Sequence, residues 1–369
     1  MSAIHMVTQI ISSSGLPVYL GENFAARGHG IDYIDAESRF LNRLGILIRS
    51  FHLDRKKWFR RRAMMGTYSV AAWHRNTRLN GELLEQVCKP DDKVLQIGGL
   101  YAPYTEPAGR EYYLFFTYTM KLAFRDGHSP WVPEEHERET VLELEKKLYA
   151  QAKHIFVSAD FVRRHLISDY GISPDRITVV SMGVDDFFIK NMRTTIPAVQ
   201  TRKCLFVGYT FHLKGGPDVL KAFAVARQEL PDLELIVVGP DLSAEIKQDG
   251  VHHVGTVNSR EELLEYYRSA DLFLLPSRCD SFGFVFLEAM SQGLPCIGAD
   301  INAMPEIIAD GETGFIVDPG DHVALAEKIV RFYKNPSLRA SMGERGKERL
   351  LERFTWQRVV EAMESVMFA

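Results

Sequence analysis

The sequence predicts an α/β chain folded as two doubly wound parallel-sheet domains, and three observations carry that expectation. Short apolar runs ending in glycine or proline alternate with amphipathic stretches along most of the chain, the pattern of parallel β-α units. The 369 residues and 46% hydrophobic content supply enough apolar material for two cores, because domains run to about 100–200 residues. A polar, unpatterned stretch at 190–202, KNMRTTIPAVQTR, separates two alternating halves.

The expected strands of the first domain, 1–190, are 3–9, 30–35, 93–97, 112–117, 154–158 and 177–181, with helices at 17–27, 136–151 and 159–169. A long basic, aromatic and helical insertion, about 37–90, interrupts them. In the second domain, 203–352, KCLFVG, LELIVVG, HHVG, DLFLLP, PCIGA and GFIVD are the strand candidates. Helices are expected at about 217–229, 260–269, 284–292, 321–334 and 336–352, and a last one at 355–367. Such sheets bind ligands beyond the carboxyl ends of their strands. The chemistry is therefore expected in the loops that follow the strands, facing a cleft between the two domains.

Composition excludes several classes. With 44 Lys+Arg against 48 Asp+Glu and a net charge of −4, neither half has the charge of a nucleic-acid binder. No apolar run reaches the ~18 residues of a membrane span, and the N-terminus lacks the basic flank of a secretion signal. The expected place of work is the cytoplasm. Four dispersed cysteines argue against a disulfide framework or structural zinc, and no D-x-D or histidine cluster offers a metal site. One local feature stands out: between Asp54 and Glu82 lie eight basic residues and no acid, interleaved with Trp58, Phe59, Met64, Met65, Tyr68 and Trp73. This segment, 55–78 at its core, reads as a solvated basic helix, as a contact for anionic lipid at the inner face of a membrane, or as a site for an anionic or lipid-linked acceptor.

Three loops stand out as candidate chemistry. Asp280-Ser281-Phe282-Gly283-Phe284-Val285 runs into a helix carrying Glu288; the free amides of a helix's first turn make an anion site. Asp280 suits sugar-type hydroxyls and Glu288 a diol lying alongside the helix. The loop after the first strand of the second domain, from Gly208 and Tyr209 to Lys214-Gly-Gly, puts a cation beside a helix start, which suits a diphosphate. SSSGLP at 12–17 joins the first strand to the first helix, with Gly15 at the junction. Each has a plain structural explanation alone; together they describe a nucleotide diphosphate carrying a hydroxylated group.

These segments resemble glycosyltransferase family 4, retaining enzymes of the GT-B architecture. CDSFGFVFLEAMSQGLPCIG is similar to the family's E-x-F-G-x-x-x-x-E-A-M-x-x-G-x-P-V-I, FVGYTFHLKGG to V-G-R-x-x-x-x-K-G, and ITVVSMGVDDF to I-x-V-I-P-N-G-V-D. PEIIADGETGFIVDPGD and FAARGHGIDYI also resemble family segments, in the right order.

The resemblance implies two Rossmann-like domains and a final helix, 353–369, crossing back to the first. It implies that Lys214 neutralises the diphosphate, Glu288 holds the ribose, and Asp280 holds hydroxyls of the donor sugar. The backbone at Ser281, Phe282, Gly283, Phe284 and Val285 would line phosphate and sugar. Gly208 and Tyr209 would lie at the diphosphate loop, Gly15 against the diphosphate from the first domain, and Val257 at the base. The implied reaction moves a hexose from a UDP- or GDP-sugar to a hydroxyl of a glycan, lipid-linked glycan or glycolipid, with retention and without metal or cofactor.

Departures are specific. Tyr209 stands where the family has its loop arginine, with His212 and Arg278 as candidates to replace that cation. Asp280 replaces a glutamate, and Thr117-Tyr118-Thr119 occupies the place of a frequent histidine, with Asp126 and His128 downstream. A nucleotide-sugar epimerase of the same architecture and a nucleotide-sugar binder without activity remain as alternatives.

Overall fold

A computed structural model of the chain describes residues 3–8, 15–35, 46–52, 54–106, 110–126, 133–197, 201–240 and 246–369. It forms two units, 1–181 with 359–369, and 182–358.

The first unit holds a six-stranded sheet in the order β2-β1-β3-β4-β5-β6. Its strands are β1 (Ala3–Val7), β2 (Gly30–Ile34), β3 (Lys93–Ile97), β4 (Tyr113–Phe116), β5 (His154–Val157) and β6 (Ile177–Val179). All neighbours pair parallel. Parallel sheets are covered on both faces, so their strands are apolar throughout rather than alternating. Accordingly Ile4, Met6, Val7, Val94, Leu95, Leu114, Phe115, Ile155, Phe156 and Val157 are all buried.

The amino end of this sheet is fastened by Asp92. Its carboxylate accepts from Ala3 N (2.9 Å), Lys89 N (2.9 Å) and His5 Nε2 (3.0 Å). Burial alone would raise this carboxyl, but those bonds outweigh it and bring it down to about 2.

Of the insertion, residues 36–45 and Leu53 lie outside the described residues. The rest is a helical turn at 46–50, the helix Arg55–Ala63, a π-helical turn Met64–Tyr68 and the helix Val70–Val87. Widening the turn strands carbonyls, and Arg75 takes them up, donating to Met65 O and Gly66 O at 2.8 Å each. The last helix, Trp356–Met367, ends in the first unit. There Glu364 meets Arg27 (2.5 Å) and His29 (2.7 Å), and Tyr113 Oη donates to Met367 O (3.3 Å).

The second unit's sheet runs β12-β11-β10-β7-β8-β9, again all parallel. Its strands are β7 (Lys203–Val207), β8 (Glu234–Val238), β9 (Val251–Gly255), β10 (Leu272–Leu275), β11 (Cys296–Ala299) and β12 (Gly314–Val317). Asp271, just ahead of β10, fastens its amino end: it accepts from Arg202 N (2.6 Å) and pairs with the buried Arg339 (2.8 Å).

Three short helices, Met120–Asp126, Asp186–Lys190 and Met304–Ile307, were not expected from the sequence. None is long enough to show a 3.6-residue period. Caps hold the first two: Thr119 Oγ1 accepts from Leu122 N, and Asp185 from Phe187 N. Among the described residues, no helix is long and apolar enough to cross a membrane.

Candidate functional site

The winding of the second sheet reverses between β7 and β10: β8 and β9 lie to one side, β11 and β12 to the other. Loops leaving two adjacent strands at such a reversal diverge and open a crevice. Here they are the Gly208–Gly215 loop and the Pro276–Gly283 loop.

Backbone contacts lock the two together. Arg278 N donates to Leu213 O (2.9 Å), and Ser277 Oγ reaches the same carbonyl (3.2 Å). Gly215 makes this possible: its φ is +79°, and a Cβ there would lie 2.1 Å from Pro276 O. Gly283, at φ +91°, turns the second loop into the helix Phe284–Ser291, a conformation glycine adopts without steric cost.

On this frame Lys214 and Asp280 meet. Lys214 Nζ donates to Asp280 Oδ2 at 2.5 Å, and both side chains are mostly buried. Asp280 Oδ1 accepts from Phe282 N (3.3 Å), and Asn302 Nδ2 holds Asp280 O (2.9 Å). Beyond Gly283, the first-turn amides of the helix have no intrahelical acceptor; Phe284 is exposed there, and Ser281 and Val285 are half-buried.

Glu288 lies one turn further along the same helix. Tyr267 Oη, itself buried, donates to Glu288 Oε2 at 2.8 Å. Glu288 as a whole is half-buried. Burial pushes its carboxyl up to about 7 against that hydrogen bond, and the nearby Asp185 raises it further. Asp185 pairs with Arg260 at 2.8 Å. The sequence reading did not select Asp185, Tyr267 or Arg260. Asp185 stands in the ITVVSMGVDDF segment, but its approach to Glu288 depends on the fold.

The remaining expected residues fall as follows. Tyr209 is 77% exposed. Arg278, a candidate to replace the missing arginine, is committed elsewhere: it grips the buried Asp218 at 2.9–3.2 Å through Nε and Nη2. Gly208 packs against Gly239, where a Cβ would come within 2.6 Å of Gly208 O. Val257 is half-buried in the turn after β9.

In the first unit, Gly15 begins the helix Leu16–Ala26 at φ +66°, while 12–14 lie outside the described residues. Thr119 is 1% exposed, and its hydroxyl accepts from Leu122 N at the start of the short helix. Beneath it sits Glu145, fully buried, accepting from Met120 N (2.8 Å), Tyr149 Oη (2.6 Å) and Tyr170 Oη. Burial holds Glu145 up at about 7 despite those bonds. His128 lies outside the described residues. One group of metal-type donors is close together among the described residues, His5, Cys88 and Asp92, but Asp92 there already accepts the three hydrogen bonds that fasten β1.

Two parallel six-stranded sheets, each covered by helices, make a two-domain Rossmann-like GT-B fold. The profile described as "Glycosyl transferases group 1" matches residues 189–349, and "Glycosyltransferase Family 4" matches 121–186. Two glycosyltransferase profiles thus match consecutive stretches of the chain. The chain is 34% identical over 160 residues to N-acetyl-alpha-D-glucosaminyl L-malate synthase of Bacillus anthracis, covering 41% of each chain. It is 29% identical over 248 residues to D-inositol 3-phosphate glycosyltransferase of Corynebacterium diphtheriae, covering 60% of this chain and 57% of that one. These matches thus span about half the length of the curated relatives. Among solved structures, a glycosyltransferase from Rickettsia africae shares the fold with a TM-score of 0.69 at 16% identity, covering 99% of this chain and 97% of that one. Sucrose-phosphate synthase from Thermosynechococcus elongatus does so at 0.68 and 18%, covering 99% and 98%.

Proposed function

We propose that the chain transfers a hexose from a UDP- or GDP-sugar to a hydroxyl of a glycan, lipid-linked glycan or glycolipid, with retention and without metal. The observation that carries this reading is the Lys214–Asp280 pair, set between two interlocked loops where the second sheet reverses. The pair joins a cation for phosphate to a carboxylate for sugar hydroxyls. The match to two glycosyltransferase profiles supports the class of reaction.

In the proposed step the bond from the sugar's anomeric carbon to the β-phosphate oxygen breaks. Negative charge grows on that oxygen, and Lys214 with the amides at Phe284 and Val285 stabilises it; fixed donors aimed at developing charge are among the strongest catalytic devices. The acceptor oxygen bonds to the anomeric carbon on the face the diphosphate leaves, and its proton passes to the departing phosphate. Asp280 keeps Lys214 oriented and takes donor-sugar hydroxyls. Glu288, backed by Tyr267, takes the ribose diol, and the turn after β9, at Val257, takes the base.

The test pairs thermal-shift measurements against UDP, GDP, ADP and their sugars with donor turnover. A ligand at 100 times its Kd adds about 2.7 kcal/mol of stability. Lys214→Ala is expected to cut turnover roughly 100-fold or more with a smaller loss of affinity, and Glu288→Ala to weaken nucleotide binding. Wild-type behaviour in both variants would refute the site. Nucleotide binding without transfer favours the inactive binder, and release of a free sugar epimer without acceptor favours the epimerase. The exposed Tyr209 in place of a cation is the observation behind the inactive reading.

A further inference from the structure

We propose that the face built by residues 47–52 and 54–65 of the first unit docks the protein on a bilayer of anionic phospholipid. The inference stands apart from the donor site and rests on how the basic segment folds.

The sequence presents residues 55–78 as one basic, aromatic stretch; the structure divides it. Its second half is spent on the protein itself. Arg75 donates to the carbonyls of the π-helical turn, Trp73 is buried, and Arg78 lies 3.9 Å from Glu82. Its first half joins the helical turn at 46–50, which lies in the same insertion but outside the basic segment. Of the fourteen exposed large apolar side chains among the described residues, Leu47, Ile48, Phe51, Phe59 and Met65 fall within these positions. Elsewhere such residues are scattered, which is the normal state of a surface. Ile48 is 66% and Phe51 60% exposed.

Cations surround them. Arg49, Arg55, Lys57, Arg61 and Arg62 are all exposed. Arg49, Lys57, Arg61, Met64 and Met65 line a hollow of about 450 Å³ with a single acid, Glu134. The half-buried Trp58 braces the patch from within, its ring 5.8 Å from Phe51 and 6.2 Å from Phe59, and Arg55 sits 5.6 Å over Phe59. Two exposed phenylalanines are thus held in place on an aromatic base among positive charges.

Charge alone would suit any polyanion. A soluble polyanion, however, would leave five apolar side chains in water. The boundary of an anionic bilayer accepts both kinds of group, apolar side chains below the headgroups and Lys or Arg at the phosphates.

The test is flotation of the full chain with vesicles of phosphatidylcholine, with and without phosphatidylglycerol, at low and high salt. Binding is expected only with phosphatidylglycerol, and salt should weaken it. Each cation lost at such a surface costs about fivefold in partition, so Arg49→Glu with Arg61→Glu should reduce binding at least 25-fold. Phe51→Ser with Phe59→Ser should reduce it about tenfold or more at unchanged charge. Lys221→Glu, an exposed change on the other unit, should do far less. Thermal midpoints and nucleotide stabilisation of each variant separate loss of docking from loss of fold or donor site. No binding to phosphatidylglycerol vesicles overturns the proposal. So does equal retention on soluble dextran sulfate with the phenylalanine variant unaffected.

Discussion

In the first unit the winding reverses between β1 and β3; in the second it reverses between β7 and β10. At the amino ends of these strand pairs the two units use the same device. An aspartate just ahead of the later strand holds the N–H that starts the earlier one: Asp92 takes Ala3 N, and Asp271 takes Arg202 N. The carboxyl ends differ. In the second unit they carry the Lys214–Asp280 pair and, one turn on, Glu288. In the first, Glu145 lies near the carboxyl end of β4, buried and turned inward on two tyrosines. The comparison shows one residue type in two settings: at the amino ends aspartates fasten strands, and at the carboxyl end of the second sheet Asp280 meets Lys214.

Asp271→Asn should have the largest effect. It strands the buried Arg339, and breaking one partner of a buried ion pair costs about 3–5 kcal/mol. The unfolding free energy of the second unit should fall by that amount while the first unit holds. Asp92→Asn should cost less, about 1–3 kcal/mol for poorly satisfied buried donors, and in the first unit. Its pH signature also differs. The Asp92 carboxyl lies lower when folded, at about 2, than when unfolded. Its stabilisation is therefore complete above about pH 4 and lost as pH falls toward 2, and the Asn variant should lack that slope. Equal losses in both variants, confined to one unit, would break the parallel.

Two glutamates with raised carboxyls give the opposite slope. Glu145 and Glu288 are both held up at about 7 when folded. The folded state then keeps protons that the unfolded chain has released, and stability declines as pH rises from about 4.5 to 7. Thermal midpoints of Glu145→Gln and Glu288→Gln should show flatter profiles over that range. If Glu288 serves ribose, nucleotide affinity of the wild type should also rise with pH near 7 as its carboxylate forms, and the Gln variant should lose that dependence.

The smallest change expected is a gain. Tyr209→Arg restores a cation to an exposed loop position, which should tighten nucleotide diphosphate binding about fivefold at low salt, on the order of 1 kcal/mol, and less at high salt. No gain at low salt would mean that the Tyr209 side chain does not face the diphosphate.

Much of the fold was legible because parallel strands write themselves as closed apolar runs. The expected strands at 93–97 and 203–208 lie within a residue of β3 and β7, and the helix at 260–269 coincides with Arg260–Ser269. The short helix after Thr119 was not legible, since seven residues show no period and its cap is an ordinary threonine. Lys214, Asp280 and Glu288 could be picked out because each follows a strand that ends in glycine or proline, or opens a helix.

The sequence by itself determined the alternation of strands and helices and the charged loops that follow them, because local pattern and turn chemistry are properties of neighbouring residues. Only the tertiary structure decided pairings. It set Lys214 on Asp280 and Arg278 on Asp218, brought Tyr267 and Asp185 to Glu288, and turned Arg75 inward while leaving Arg49 and Arg61 in water. Those outcomes depend on which strands lie side by side and which helix face is covered, and no stretch of adjacent residues encodes either.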